Sequence, residues 1–205
     1  ATIPGALFQF SSRDGVWRVD YTSDRVFDIT GITAAETIGD INTFISRIHP
    51  EDLESFIASV NAAIENLWLW HYEGRLVKPD GEIRWWQGDS IPTRNENGEI
   101  VFCGVFLDVT DRKVIETAIR ESQRQLQEAQ KLAHVGNWEL DATTGKVTWS
   151  QELFRIVGLE PAATAPTREQ QVTQIHPEDL ELWRTEVQRG IEFGISFDYD
   201  FRLYR

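Results

Sequence analysis

The spacing of apolar residues in the first half of the chain predicts a helix followed by strands. From 53 to 67, apolar side chains recur every three or four positions, which is typical of an amphipathic helix. The period then changes to two, so one face of the next segment is aromatic and the other mostly polar, which predicts a half-buried strand. The aromatic face carries Trp68, Trp70, Tyr72 and Leu76.

Turn signals divide the remainder of this half into further strands. Pro79-Asp80-Gly81 and Asn95–Gly98 bound predicted strands over 82–91 and 99–107, and Asp14-Gly15 joins a hairpin over 7–11 and 17–21. Residues 23–31 are predicted as a short helix that leads into irregular chain. This order predicts an α+β domain with a five-stranded antiparallel sheet and short helices on one face.

A second copy of this pattern follows in the same chain. The segment Ile48–Glu54 recurs as Ile175–Glu181, 127 positions later, and the register holds without a gap over more than fifty residues. We therefore expect two tandem copies, at 1–112 and 135–205. The second lacks equivalents of residues 79–112, so we expect it to be C-terminally incomplete. It should then be completed by residues outside the sequence or by a partner chain, or else be poorly ordered. Its predicted strand carries Ile195, Phe197, Tyr199, Phe201 and Leu203 on one face.

A long helix is predicted between the copies, at 113–134. No Gly or Pro occurs from Asp111 to His134, and small or apolar residues alternate at spacings of four and three, as in the seam of a coiled coil. The seam positions are Ile115, Ile119, Ser122, Leu126, Ala129 and Ala133. An exposed helix with such a stripe is rarely stable alone, so a parallel homodimer through this helix is expected. The alternative is a helix that folds back on its own domain.

Composition and charge narrow the class of protein. The 205 residues carry a net charge of −13, which disfavours nucleic acid as a partner. The longest apolar run, Ile100–Leu107, is far shorter than the ~20 residues of a membrane helix, so no membrane contact is expected within this fragment. A single cysteine, Cys103, and the lack of a signal peptide suit the cytoplasm. The absence of Met indicates a fragment of a larger protein.

No catalytic constellation is found, and the chain is interpreted as a regulatory fragment rather than an enzyme. His49 and His176 could act as general bases in a small enzyme, but each directly precedes a proline at a helix start, which favours a structural role. The four histidines and Cys103 lack the close spacing of metal ligands. Cys103, between apolar residues, is expected to be inert rather than a redox sensor.

Several aromatic side chains are candidates for a ligand pocket, because such sites are mostly apolar. The alternative is that they only fill the core. Trp85 and Trp86 must point to opposite faces of one strand, so one of them is expected outside the core, where it could contact a second subunit or the flanking helix. The pocket candidates are Phe44, Trp70, Tyr72, Trp85 and Phe102.

The order of these segments resembles the C-terminal half of a PAS domain. The resemblance is carried by Tyr72–Leu76, Asp80-Gly81, Ile83–Trp86, Asn97-Gly98 and the closing Asp108–Lys113 signature, while the His-Pro-Glu-Asp stretch is typical of an aromatic-rich branch. It implies a sensory module of a bacterial signalling protein, most often a histidine kinase or a cyclic-dinucleotide enzyme, with an output domain later in the chain. Within the signature, Asp108, Thr110 and Arg112 are the expected signal-relay residues.

The resemblance leaves the cofactor open. Flavin photoreceptors of this family carry a reactive cysteine on a helix, whereas Cys103 lies in a predicted strand, and no histidine lies on the apolar face of the helix over 53–67 where a haem ligand would be expected. Both cofactors are therefore disfavoured. The sequence predicts a sensory and dimerisation module that relays ligand or partner signals; the alternative is a ligand-free protein–protein spacer.

Overall fold

The chain forms two compact units, Ala1–Ala118 and Ile119–Arg205. The computed structural model describes residues 5–141, 143–144, 146–162, 164–194, 196 and 198–204. Each unit is considered by itself below.

The first unit is built on one antiparallel sheet with four helices. The strand order is β2-β1-β5-β4-β3, so the last strand lies in the middle, between the first and the fourth. This architecture confirms the predicted α+β class and five-stranded antiparallel sheet for this unit. The elements are β1 (Ala6–Arg13), β2 (Val16–Thr22), α1 (Val26–Thr30), α2 (Ala34–Gly39), α3 (Ile41–Ile45), α4 (Leu53–Asn66), β3 (Trp70–Val77), β4 (Ile83–Arg94) and β5 (Ile100–Asp108).

Helices α2 and α3 lie in the stretch that the sequence analysis treats as irregular. Thr33 and Glu36 form a capping box at the start of α2, in which the Thr33 hydroxyl accepts from the Glu36 N–H and the Glu36 carboxylate accepts from the Thr33 N–H. The Asp40 carboxylate then accepts from the Asn42 N–H at the start of α3. The capping box was the sequence signal that could have located α2.

The core lies between the inner face of the sheet and the helices. The side chains of Trp86, Phe102 and Leu76 are almost completely buried there, at no more than 2% exposure. Helix α4 contributes Phe56 and Val60, in agreement with the helical period of its apolar residues.

Helix α5 (Thr110–Ala133) leads out of β5 and is continuous across the 24 residues. It begins three residues before the predicted start, and none of its residues, all of which are described, is buried. The seam residues Ile115, Ile119 and Leu126 are 59%, 53% and 59% exposed. These three seam residues are therefore open to solvent.

Among its described residues, the second unit contains a two-stranded sheet and, after α5, three helices. Two of its features repeat the first unit 127 positions later. An isolated bridge pairs Ile175 with Leu203 as Ile48 pairs with Leu76, and the His176 N–H donates to the Arg202 carbonyl as the His49 N–H donates to the Arg75 carbonyl. The predicted strand positions Ile195 and Phe197 lie outside the described residues. The elements are β6 (Trp138–Leu140), β7 (Val147–Trp149), α6 (Gln151–Val157), α7 (Arg168–Val172) and α8 (Leu180–Phe193).

Across the described residues, no helix has both the length and the apolar character that crossing a membrane requires.

Candidate functional site

An apolar cavity of about 50 Å3 lies in the core of the first unit. Its walls are side chains from the inner face of the sheet, from α3 and from α4. The two threonines at its border, Thr22 and Thr37, direct their hydroxyls to the backbone carbonyls of Leu7 and Thr33. The cavity is therefore suited to a small apolar molecule, and it is smaller than the ~300–1,000 Å3 of sites that take drug-sized ligands.

Aromatic rings shape this cavity by lying over glycines of the inner sheet face. Gly88 pairs across the strands with Tyr72 and Phe106, and Gly104 pairs with Phe8 and Ser90. A Cβ atom on Gly88 would come within 2.7 Å of the Trp70 ring. The rings can lie over Gly88 and Gly104 because these two residues have no side chain. The sequence analysis did not single out these glycines.

Three of the five predicted pocket residues border the cavity: Phe44, Trp70 and Phe102. Tyr72 does not border it, although its ring packs against Trp70 and Trp86 and its hydroxyl donates to the Asp52 carbonyl at 3.0 Å. The role of these residues in ligand binding stays a prediction.

Trp85, the fifth predicted pocket residue, does not border this cavity. In β4 the side chains alternate between faces, and the buried neighbour Trp86, at 0% exposure, occupies the inner face. Trp85 therefore lies on the outer face, paired with Arg75 of β3. It contacts the flanking helix, because Lys113 of α5 lies over its ring at 5.3 Å from the centroid.

The closing signature fastens the start of α5 to the sheet. The Asp108 carboxylate accepts from the Thr110 N–H at 2.8 Å, and the Thr110 hydroxyl accepts from the Trp85 N–H at 2.9 Å. Arg112 donates to Glu73 of β3 at 2.5 Å and to the Gln87 side chain at 3.3 Å. The three predicted relay residues thus connect α5 to β3, β4 and β5; their role in signalling stays a prediction.

Glu73 is the acidic residue that holds the first turn of α5. Its carboxylate pairs with both Lys113 and Arg112, each at 2.5 Å. Lys113, with a smaller effect from Arg112, lowers the pKa of Glu73 below its ordinary value, so the carboxylate is charged at neutral pH. The sequence analysis places Glu73 on the polar face of its strand without assigning it this role.

The His-Pro-Glu-Asp stretch pins helix α4 to the edge strand β3. The Asp52 carboxylate accepts from the Arg75 N–H at 2.8 Å and from the Arg75 guanidinium at 2.6 and 3.0 Å. Arg75 therefore lowers the pKa of Asp52. In the second unit Asp179 and Arg202 make the same three contacts, at 2.7 to 2.9 Å.

The histidines of this stretch take part in the same connection through their backbone. The His49 N–H donates to the Arg75 carbonyl at 2.9 Å, and its ring Nδ1 accepts from the Glu51 N–H at 3.3 Å. This arrangement is the structural role that the proline context favours. Among the described residues no group of three or more His, Cys, Asp or Glu could hold a metal ion.

A larger apolar groove, of about 610 Å3, lies within the second unit. Trp138, Trp149 and Trp183 contribute to its walls, together with Tyr199 and Phe201. The groove therefore offers a far larger apolar surface than the cavity of the first unit.

The fold of the first unit places it in a known family. Residues 19–106 match the family described as the PAS fold. The first unit is a PAS domain. The resemblance inferred from the sequence motifs is thereby confirmed, and the cavity, the central β5 strand and α5 can be described as parts of this PAS domain.

Sensor proteins are among the relatives of this chain. The methyl sulfide methyltransferase-associated sensor of Methanosarcina acetivorans is 31% identical over 113 residues, covering 54% of this chain and 11% of that protein. The blue-light-activated histidine kinase of Brucella anthropi is 26% identical over 195 residues, covering 89% of this chain and 39% of that protein. The chain thus spans less than half the length of either relative.

A solved structure of a histidine kinase is also similar to this chain. A sensory box histidine kinase/response regulator from Burkholderia thailandensis superimposes with a TM-score of 0.50 at 27% identity, covering 61% of this chain and 92% of that one. The PAS domain is therefore homologous to sensor domains of histidine kinases.

Proposed function

We propose that this chain is the sensory and dimerisation module of a bacterial signal-transduction protein, a PAS-containing histidine kinase, and that α5 passes its signal toward an output domain. The observation that carries the proposal is the attachment of α5. Arg112 binds Glu73 of β3, and Asp108 of β5 accepts from the Thr110 N–H. These two strands border the cavity through Trp70 and Phe102, so a change in the core reaches the first turn of the helix through one layer of sheet.

We infer that the second unit is another copy of the PAS domain, joined to the first by α5. The repeated Ile175–Leu203 bridge and the Asp179–Arg202 pair support this, since both lie 127 positions after their counterparts. The relation to the Brucella anthropi kinase supports it as well, because that similarity extends over 89% of the chain.

We propose that the dimer forms through α5 in parallel with a second chain. The seam carries Ile115, Ile119 and Leu126, which are all more than half exposed. A 24-residue helix without buried residues is only marginally stable in water, and a partner helix would cover this stripe.

Cysteine cross-linking tests the dimer. In a C103S background, Ile119→Cys or Leu126→Cys should form an intermolecular disulfide under mild oxidation, because facing core positions of a parallel pair lie within disulfide reach. Gln127→Cys, on the outer side of the same helix, is the matched control. Cross-linking of the control as efficiently as the seam variants, or of none of the three, would overturn the proposed interface.

A ligand-free relay is the second candidate, and the size of the first-unit cavity favours it. Native mass spectrometry of the chain, compared with the denatured mass, separates the two. A non-covalent mass excess that a cavity substitution abolishes supports ligand sensing, whereas a ligand-free dimer supports the relay.

A further inference from the structure

Trp85 lies between two cations on the outer face of the PAS domain. The Arg75 guanidinium carbon is 5.7 Å from the centre of its ring system, and the Lys113 ammonium is 5.3 Å away. Both distances are within the range of cation–π attraction. The indole therefore stabilises two positive charges at once, and those charges would otherwise repel each other.

The two cations belong to different elements of the domain, Arg75 to β3 and Lys113 to α5. Asp52 and Glu51, at the start of α4, hold the Arg75 guanidinium at 2.6 to 3.0 Å. Lys113 belongs to the first turn of α5 and is held by Glu73. Helix α4 also borders the cavity through Phe56 and Val60. The ring is thus linked to the start of α4 through Arg75, and it contacts α5 through Lys113.

We propose that Trp85 is a conformational coupler, which links the position of the α4 N-terminus to the docking of the first turn of α5. When Arg75 is anchored by Asp52, it shares the ring with Lys113. When the start of α4 moves and Asp52 withdraws, the guanidinium is free to shift over the indole, where it repels Lys113 and loosens α5. The inference rests on the proposed sensory function, but its mechanism requires neither a ligand nor a dimer.

Hydrogen exchange of the full chain tests this coupling. Asp52→Asn removes the charge that anchors Arg75, and we expect exchange at the amides of residues 111–117 to become about fivefold faster, as for the loss of one cation–π contact of about 1 kcal/mol. In a W85L background the same D52N substitution should no longer change this exchange, because the shared ring is gone. Exchange of the β5 amides reports whether the domain remains folded.

The second unit supplies the matched control. Asp179→Asn breaks the corresponding pair with Arg202, and it should leave the amides of 111–117 unchanged. Equal acceleration by D52N in the presence and absence of Trp85, or acceleration by D179N, would overturn the coupling.

A second background keeps the test decisive if W85L does not fold. Lys113→Met keeps most of the side-chain volume and removes the second cation, so D52N should have no effect on 111–117 in that background. A fivefold effect of D52N in K113M would overturn the proposal. Seam cross-linking is measured separately, so a failure of the coupler can be told apart from a failure of the proposed dimer.

Discussion

Gly104 in the central strand β5 is the position where a single methyl group should damage the PAS core most. A Cβ atom built there would collide with the Asp89 carbonyl oxygen, and it would lie 2.6 Å from the Ser90 Cβ and 2.8 Å from the Phe8 ring. The first obstacle is backbone of the neighbouring strand, which cannot move without breaking the ladder between β4 and β5. Gly104→Ala is therefore expected to shift the sheet or displace the ring.

The cost follows from the strain of overpacking. Extra methylenes in a packed core cost about 1–3 kcal/mol, and a backbone clash places Gly104→Ala near the upper end. A loss of about 3 kcal/mol corresponds to roughly 150-fold in the unfolding equilibrium constant. For a unit of 118 residues it lowers the melting temperature by about 10 °C.

Urea unfolding with hydrogen exchange as the readout locates the effect. The amides of β5 should lose protection in Gly104→Ala, while those of α8, in the second unit, serve as the internal reference. Gly39→Ala is the matched control, because nothing lies within 4 Å of a Cβ atom at that position, and its stability should stay within about 0.5 kcal/mol of the parent. A Gly104→Ala protein as stable as the control would refute the packing argument.

Three further predictions address charge, cavity and backbone. Arg75 lowers the pKa of Asp52 from its ordinary value of 3.8, so the stabilisation from this pair is present above that value and is lost as the pH falls through the lowered pKa. The urea midpoint should therefore drop as the pH is lowered below about 4, and it should drop less in Arg75→Gln. Val60→Ile adds one methylene at the cavity wall, which should raise stability by up to about 0.8 kcal/mol and abolish the response of the chain to dissolved xenon in NMR spectra. Leu67→Gly should stabilise the first unit by about 0.5–1 kcal/mol in thermal unfolding, because Leu67 has φ 54° and is 39% exposed, whereas Gly194 holds the corresponding position with φ 63°; a destabilised variant would contradict this.

Strands and long helices could be predicted from the sequence because their periods are visible over many residues. The alternation over Trp70–Val77 and the unbroken helical stretch of α5 agree with the predicted segments to within a few residues. Helices α2 and α3 have five or six residues each, which is too short for a helical period to emerge. Only their capping residues distinguish them from loop.

The pocket candidates show what the side-chain alternation of a single strand cannot predict. Periodicity predicts that Trp85 and Trp86 lie on opposite faces of β4. Which of the two faces the core depends on the register between strands, which pairs Trp86 with Gly74 and Trp85 with Arg75. Register is a property of two strands and cannot be obtained from the period of one. The same limit applies to Gly88 and Gly104, whose importance depends on the rings of neighbouring strands.

The two units share one aspartate–arginine contact, whereas the residues that line their apolar spaces differ. In both, an aspartate at the start of a 14-residue helix binds an arginine of a later segment. The shortest guanidinium–carboxylate distances given for the two pairs, at Oδ1, are similar, 2.6 and 2.8 Å. At the walls, however, Phe44 of the first unit corresponds to Gln171. A polar amide in place of a phenyl ring changes which molecules the space can take without disturbing the aspartate–arginine contact. The contact between helix and following segment is thus kept in both units although the residue at this lining position is not.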